Sequence, residues 1–241
     1  MEKNQKETPN ILLGYWQGGK RYEKNISNDG ITLNLEFDDV ALYGDKIWSQ
    51  LTPDIRLKTI DFNDFFPEKK PLNFEIGIGN GEFITELAYK NSNENFIGVE
   101  VFKKSFNQAE RRIKRAGLKN VRLIQFDADL ILRLFEDNCL NSVYVNFPDP
   151  WHKSKHKKRR LLKTFFIELI VEKLSKNGVL HIATDHDDYA QEIAENITQV
   201  KGISSLFDGV YSKEKENYFP TKYYNKFAKT NGAYLFRYKK D

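Results

Sequence analysis

From residue 71 onward, short apolar runs alternate with stretches whose apolar residues recur every three or four positions. LNFEIGIG (72–79), NFIGVEV (95–101), VRLIQFDA (121–128), SVYVNF (142–147) and GVLHIATD (178–185) have the length and the β-branched and aromatic content of strands. Between the second and third of these, Phe102, Phe106, Ala109, Ile113 and Ala116 fall at helical spacing and stop at Gly117, a residue suited to a left-handed C-cap. Further helices are expected over 161–174, closed by Asn177-Gly178, and over 187–200. Strands alternating with helices imply a mostly parallel sheet covered on both faces. The tail departs from this rhythm. SSLFDGVY (204–211) and AYLFRYK (233–239) have no helical crossover between them and are expected to pair antiparallel at the end of the sheet.

Before residue 71 the rhythm is different. ITLNLEF (31–37) alternates strictly, as a half-buried strand does, and residues 14–19, with Tyr15 and Trp16 between glycines, read as a turn carrying aromatics. The expected organisation is an N-terminal extension over 1–70, with no role assigned, followed by one catalytic-type domain over 71–241.

The chain has 241 residues, of which 30% are charged, and no run approaches the about 18 apolar residues that a membrane span requires. Its first nine residues are polar and lack the apolar core of a signal peptide, so a cytoplasmic protein is expected. The one cysteine, Cys139, and four histidines with no HxxxH pair on an expected helix give no basis for a disulfide, redox chemistry or a structural metal. A net charge of +4 does not make the whole chain a nucleic-acid coat. The charge is concentrated, however, in residues 103–119 and 153–160.

In a doubly wound sheet, ligands bind at the C-terminal ends of the strands. Here those ends read Glu75 with Gly77, Gly79 and Gly81, then Glu100, then Asp127, then NFPDPW (146–151), then Thr184-Asp185. The glycines allow tight turns and close approach of a ligand to the backbone. Glu82, following Gly81, and Glu75 would repel the pyrophosphate of a dinucleotide, and the GxGxxG spacing is absent. They would not repel S-adenosylmethionine, which carries no phosphate and has cationic sulfonium and ammonium groups. Glu100, about 20 residues beyond the glycines, is placed to accept from ribose hydroxyls. Asp127 is placed to accept from an adenine amino group. Taken singly, each acid reads equally well as a helix N-cap; an acid at three successive strand ends beside the glycines favours a cofactor site.

The segments FEIGIGNGEF, FIGVEV, NFPDPWHKSKHKKRRL, ATD and TKYYNKF, in this order and spacing, resemble the bacterial tRNA (guanine-N7)-methyltransferase family over roughly residues 72–240. The resemblance implies a class I methyltransferase domain over 71–241, a doubly wound, mostly parallel, seven-stranded Rossmann-like sheet whose last strand is antiparallel. It implies S-adenosylmethionine as donor and a variable-loop guanine of tRNA as acceptor. Carried over by position, Glu75, Glu100, Asp127 and Asp149 would contact the cofactor, with Asp149 also catalytic. Lys153, Asp185, Thr221, Lys222, Tyr223 and Tyr224 would contact substrate. One position departs: the family pattern ends in Glu where this chain has Tyr224. The expected partner is tRNA, with no membrane and no required protein partner, for a monomer or homodimer.

The residues bear on this reading independently. Guanine N7 has a free lone pair and no proton, so its methylation needs positioning rather than a general base. Asp149 could accept from guanine N1 and N2 and favour the positive charge that develops on the purine. Pro148 and Pro150 stiffen the backbone beside it, and Phe147 or Trp151 could stack on an extruded base. Trp151 reads equally as core. Of the nine residues 152–160, six are Lys or Arg. Lys155, Lys157, Lys158, Arg159 and Arg160 on the rim of a cofactor cleft would bind backbone phosphates. The basic residues 103–115 read instead as a solvated helix face. Asp185 reads equally as substrate contact and as N-cap of the helix that follows. Two rivals remain: a methyltransferase acting on an exocyclic base amine, whose Asn/Asp-Pro-Pro-aromatic turn is interrupted here, and a non-catalytic RNA-binding protein on the same fold.

Overall fold

The computed structural model describes residues 24–26, 31, 33–35, 59–213, 224 and 232–241. Its strands are β1 (Lys24–Ile26), β2 (Leu33–Leu35), β3 (Leu72–Ile76), β4 (Asn95–Val99), β5 (Val121–Ile124), β6 (Leu140–Asn146), β7 (Leu174–Thr184), β8 (Ile203–Ser205) and β9 (Tyr234–Lys240). Its α-helices are α1 (Glu82–Lys90), α2 (Lys103–Ala116), α3 (Ala128–Leu134), α4 (Thr164–Lys173) and α5 (Asp187–Ile197). Seven strands form one sheet in the order β5-β4-β3-β6-β7-β9-β8, with β3 to β7 parallel and β9 antiparallel to both neighbours. This is the doubly wound, seven-stranded arrangement expected.

β3, β4 and β5 are buried along their whole length, as parallel strands covered on both faces must be. On one face α1 and α2 pack Ile84, Ala88, Phe106, Ala109 and Ile113 against Phe96 and Leu123. On the other, α3, α4 and α5 pack over Phe74, Ile97 and Val143. The chain runs outward from β3 to β5 and then returns to lay β6 on the other side of β3. The order therefore reverses between β3 and β6, which opens a crevice at their C-terminal ends.

Gly117 takes φ 66° at the end of α2, the cap its sequence position suggests. Other boundaries move. β3 stops at Ile76 because Gly77 turns to φ 72°. The strand expected over 204–211 narrows to Ile203–Ser205, because the Ser205 hydroxyl donates to the Gly209 carbonyl, accepts from the Phe207 amide and turns the chain away; it touches the sheet again at a Ser212–Leu235 bridge.

Residues 60–66 join the core without any periodicity to announce it. The Ile60 amide donates to the Leu134 carbonyl at 2.7 Å, and Phe62 stands 4.2 Å from Phe135 between ring centres. In the earlier segment, the strand expected over 31–37 corresponds to β2, which pairs with β1 in a two-stranded antiparallel ribbon. Ile31 is buried and its carbonyl accepts from the Leu123 amide of β5 at 2.8 Å. The turn expected over 14–19 lies outside the described residues. Among the described residues, no helix is long and apolar enough to cross a membrane.

Candidate active site at the switch of strand order

The loop after β3 is folded by its glycines. Gly77, Gly79 and Gly81 have φ of 72°, 54° and 73°, a region that side chains disfavour. They differ in what surrounds them. A Cβ on Gly81 would stand 2.7 Å from the Cβ of Ala109, so this glycine lets the start of α1 approach α2. A Cβ on Gly77 or Gly79 would meet nothing within 4 Å, which leaves their backbone open for a ligand to approach.

Glu75, the fourth residue of β3, is buried beside this loop. Its Oε1 accepts from Asn146 Nδ2 at 3.3 Å, while Oε2 is buried and has no partner among the described residues. Burial pushes the carboxyl up to about 8, against the opposing effect of the Asn146 bond. A cationic ligand group would satisfy that oxygen and return the carboxyl to its ionised form. Asn146 ends β6, directly across the switch from β3. Its position at a strand end was the available signal for its part in the site, but its pairing with Glu75 becomes visible only once β3 and β6 are neighbours.

Glu100 is buried at the end of β4 and accepts from two backbone amides, Gly79 at 2.9 Å and Phe102 at 2.8 Å. It thus ties the glycine loop to the entry of α2. Two carboxylate oxygens offer about four acceptor sites, so capacity for a further donor remains. Asp127 is the N-cap of α3, accepting from the Asp129 amide at 2.8 Å, and burial raises its pKa. The donor set, two buried acids beside an open glycine backbone, fits the cationic, phosphate-free S-adenosylmethionine.

Beyond β6, Phe147 and Trp151 have φ of 49° and 46°, and between them lies Pro148-Asp149-Pro150. Two non-glycine residues in the left-handed region, one on each side, bend the chain sharply at a cost of roughly 1–3 kcal/mol each. What results is an exposed Asp149 with no hydrogen-bond or ion-pair partner among the described residues. The turn is held on its β6 side by the Phe147 amide, which donates to the Ala183 carbonyl at 2.8 Å. Phe147 also packs with Tyr224, ring centres 6.5 Å apart. Trp151 is half-buried, with the Arg159 guanidinium 5.1 Å from its ring centre and His156 edge-on at 5.9 Å.

The basic run folds as a 3-10 helix, Ser154–Arg159, and its members separate. Lys153, Lys155, Lys158 and Arg159 are exposed. Lys157 pairs with Asp188 at 2.8 Å and keeps 38% of its side chain exposed. Arg160 takes a different role from the one its place in the run suggests. Its side chain is 0% exposed, so it has no surface to offer a phosphate. On α2, Lys103, Lys104, Arg111, Lys114 and Arg115 are exposed, and Arg112 reaches back to the Asn80 carbonyl of the glycine loop at 3.1 Å.

Asp185 is half-buried after β7, and the N-cap of α5 is its neighbour His186, whose Nδ1 faces the Tyr189 amide. The other ring nitrogen of His186 lies 2.8 Å from His152 Nδ1, joining the loops after β6 and β7. Burial, His152 and Arg160 together hold the His186 pKa down. Tyr224 is 4% exposed, within a small cluster with Ala183, Ala233 and Leu235. Thr221, Lys222 and Tyr223 lie outside the described residues.

A family model described as "Putative methyltransferase" matches residues 69–236. A tRNA (guanine-N(7)-)-methyltransferase of Buchnera aphidicola subsp. Acyrthosiphon pisum (strain Tuc7) is 36% identical over 174 residues, 72% of this chain and 70% of that protein. One of Buchnera aphidicola subsp. Schizaphis graminum is 33% identical over 193 residues, covering 80% of this chain and 81% of the relative. Among solved structures, NSun6 from Pyrococcus horikoshii has TM-score 0.54 at 20% identity, over 70% of this chain and 47% of that one. That last likeness is one of fold.

Proposed function

Because this chain belongs to the bacterial tRNA (guanine-N7)-methyltransferase family of class I S-adenosylmethionine-dependent enzymes, we propose that it methylates N7 of a variable-loop guanine in tRNA. The observation that carries the reading is Asp149: a carboxylate without a partner among the described residues, at the tip of a strained, proline-flanked turn that follows β6, the strand next to β3 and its glycine loop.

S-adenosylmethionine supplies a methyl group on a positively charged sulfur. Glu75 would hold its ammonium group, Gly77 and Gly79 would lie along its open face, Gly81 lets α1 close over the loop, and Glu100 and Asp127 would receive the ribose and adenine. Transfer of that methyl to N7 would leave the positive charge on the purine ring. Asp149 accepts from guanine N1–H and N2–H, fixing N7 in line with the methyl and favouring the charge that arrives. No proton leaves N7, so no general base is required. Lys153, with Asp185 and the segment 221–224, contacts the acceptor nucleoside. Lys155, Lys158 and Arg159, with Lys157 at their edge, grip the surrounding phosphates.

An amine-directed methyltransferase would use the polar residue opening the turn to hold the target amino group. Here that residue, Asn146, is bonded to Glu75, which favours the N7 reading. Transfer of label from methyl-labelled S-adenosylmethionine to unmodified tRNA, followed by borohydride reduction and aniline cleavage, tests the proposal. Cleavage at a variable-loop guanine is expected; label on adenine or on another base would refute it.

A further inference from the structure

Arg160 closes a basic run, yet its surroundings are those of an interior residue. Nε donates to the Pro150 carbonyl at 2.8 Å. One terminal nitrogen donates to Glu192 Oε2 and the other to Asp188 Oδ2, both at 2.5 Å, and the guanidinium plane lies 4.8 Å from the ring centre of Tyr189. Asp188 and Glu192 stand one turn apart on α5, so both carboxylates reach the same guanidinium. Each has a second cation: Lys157 on Asp188, and Lys163 on Glu192. Lys157 and then Arg160 draw the Asp188 carboxyl down to about 2. The charge of Arg160 is thus neutralised within the protein.

Pro150 is the residue directly after Asp149. The Phe147 amide anchors the turn from the β6 side, and the Pro150 carbonyl is its anchor on the other. Between these two bonds lie the strained φ of Phe147 and Asp149 itself, and the strained φ of Trp151 follows directly after the second. We infer that Arg160 is a positioning residue for Asp149: it clamps the Pro150 carbonyl to α5 and so fixes the carboxylate against the acceptor base. The inference rests on the reading of Asp149 given above. A planar fork with three fixed donor directions is required, and a lysine cannot supply it. A displacement of about 1 Å at a reacting group can cost on the order of a hundredfold in rate.

Three variants test this. Arg160→Lys keeps the charge and loses the fork. Arg160→Gln combined with Asp188→Asn and Glu192→Gln removes charge on both sides, so that neither carboxylate is left facing the site of the lost guanidinium. Lys158→Ala removes a neighbouring exposed cation. Thermal melts establish folding, and two quantities are then measured: the kcat and KM for tRNA methylation at several salt concentrations, and amide exchange of residues 147–153 in the free enzyme. In both Arg160 variants, kcat should fall tenfold or more with KM within about twofold and the salt slope unchanged. Exchange in the turn should accelerate at least tenfold. Lys158→Ala should instead raise KM and flatten the salt slope, with the turn still protected. Wild-type kcat and protection in Arg160→Lys would overturn the inference, as would a rise in KM with a shallower salt slope, which would return Arg160 to the phosphate grip. Should the wild type transfer no methyl to tRNA, the proposed function fails, while exchange in the free enzyme still decides whether the clamp exists.

Discussion

Asn146 donates its side-chain amide to Glu75 Oε1 at 3.3 Å across the switch between β6 and β3, and leaves Glu75 Oε2 buried without a partner among the described residues. Burial raises this carboxyl from its ordinary 4.5 to about 8. Between those values the folded, ligand-free protein holds a proton that the unfolded chain releases. Stability should therefore fall as pH rises from about 4.5 to about 8, by roughly a few kcal/mol. The ammonium of S-adenosylmethionine favours the ionised form, so cofactor affinity should rise across the same window, with proton release on binding. Titration calorimetry in buffers of different ionisation enthalpy and melts against pH measure both. Glu75→Gln should flatten both dependences and weaken cofactor binding; an unchanged pH profile in that variant would assign the proton elsewhere.

Two glycines of one loop should fail in different ways. Gly81→Ala places a Cβ 2.7 Å from the Ala109 Cβ at φ 73°, and should cost about 2–4 kcal/mol of stability. Gly77→Ala meets nothing within the protein and should cost roughly 1–2 kcal/mol from its backbone conformation alone. Its effect should fall on the cofactor, with affinity reduced tenfold or more. Melts and cofactor titrations on the pair separate the two outcomes.

Asp149 is exposed and unpartnered among the described residues, so its removal should leave the fold intact. Asp149→Ala should lower methyl transfer by about a hundredfold or more while tRNA binding stays within a few-fold. A fully active variant would remove Asp149 from the mechanism.

Replacing Lys155, Lys158 and Arg159 together with Ala should weaken binding to all tRNAs alike. The slope of log affinity against log salt should become shallower by about two to three, one unit or slightly less per lost phosphate contact. Filter binding between low and physiological salt reads the slope directly. An unchanged slope would make these residues a solvated surface.

At position 224, where the family resemblance leads one to expect Glu, this chain has a buried Tyr packed with Phe147. Tyr224→Glu would set a carboxylate against Phe147, Ala183 and Leu235, and should cost about 1–3 kcal/mol. A melting temperature equal to wild type would mean the pocket can hydrate an acid.

The regular part of the fold was legible because its signals are local. Runs such as NFIGVEV and the spacing of Phe106, Ala109 and Ile113 are set by which faces are buried, and buried faces repeat with the period of the element. Strand ends were legible for the same reason, which brings Glu75, Glu100, Asp127 and Asp149 to one rim of the sheet. What escaped depends on partners distant in sequence. Arg160 differs from Lys158 in nothing that composition registers; only α5, with Asp188 and Glu192 facing it, turns one inward and leaves the other out. Asp185 is the better capping residue by type, yet His186 occupies the N-cap, with its Nδ1 facing the Tyr189 amide. Phe62, Phe65 and Phe66 follow no helical or strand period, since they enter the core from a 3-10 turn and a loop.

The bond from the Leu123 amide to the Ile31 carbonyl bears on how a shortened protein would behave. β5 is the outermost strand on its side of the sheet, and its outer backbone groups would otherwise be unpaired. A bare strand edge is a template for the edge of another molecule. Deleting the residues before 59 would take away Ile31 and uncover part of that rim. Such a truncation should precipitate or self-associate, and a loss of activity on its removal would report colloidal failure before it reported anything about RNA.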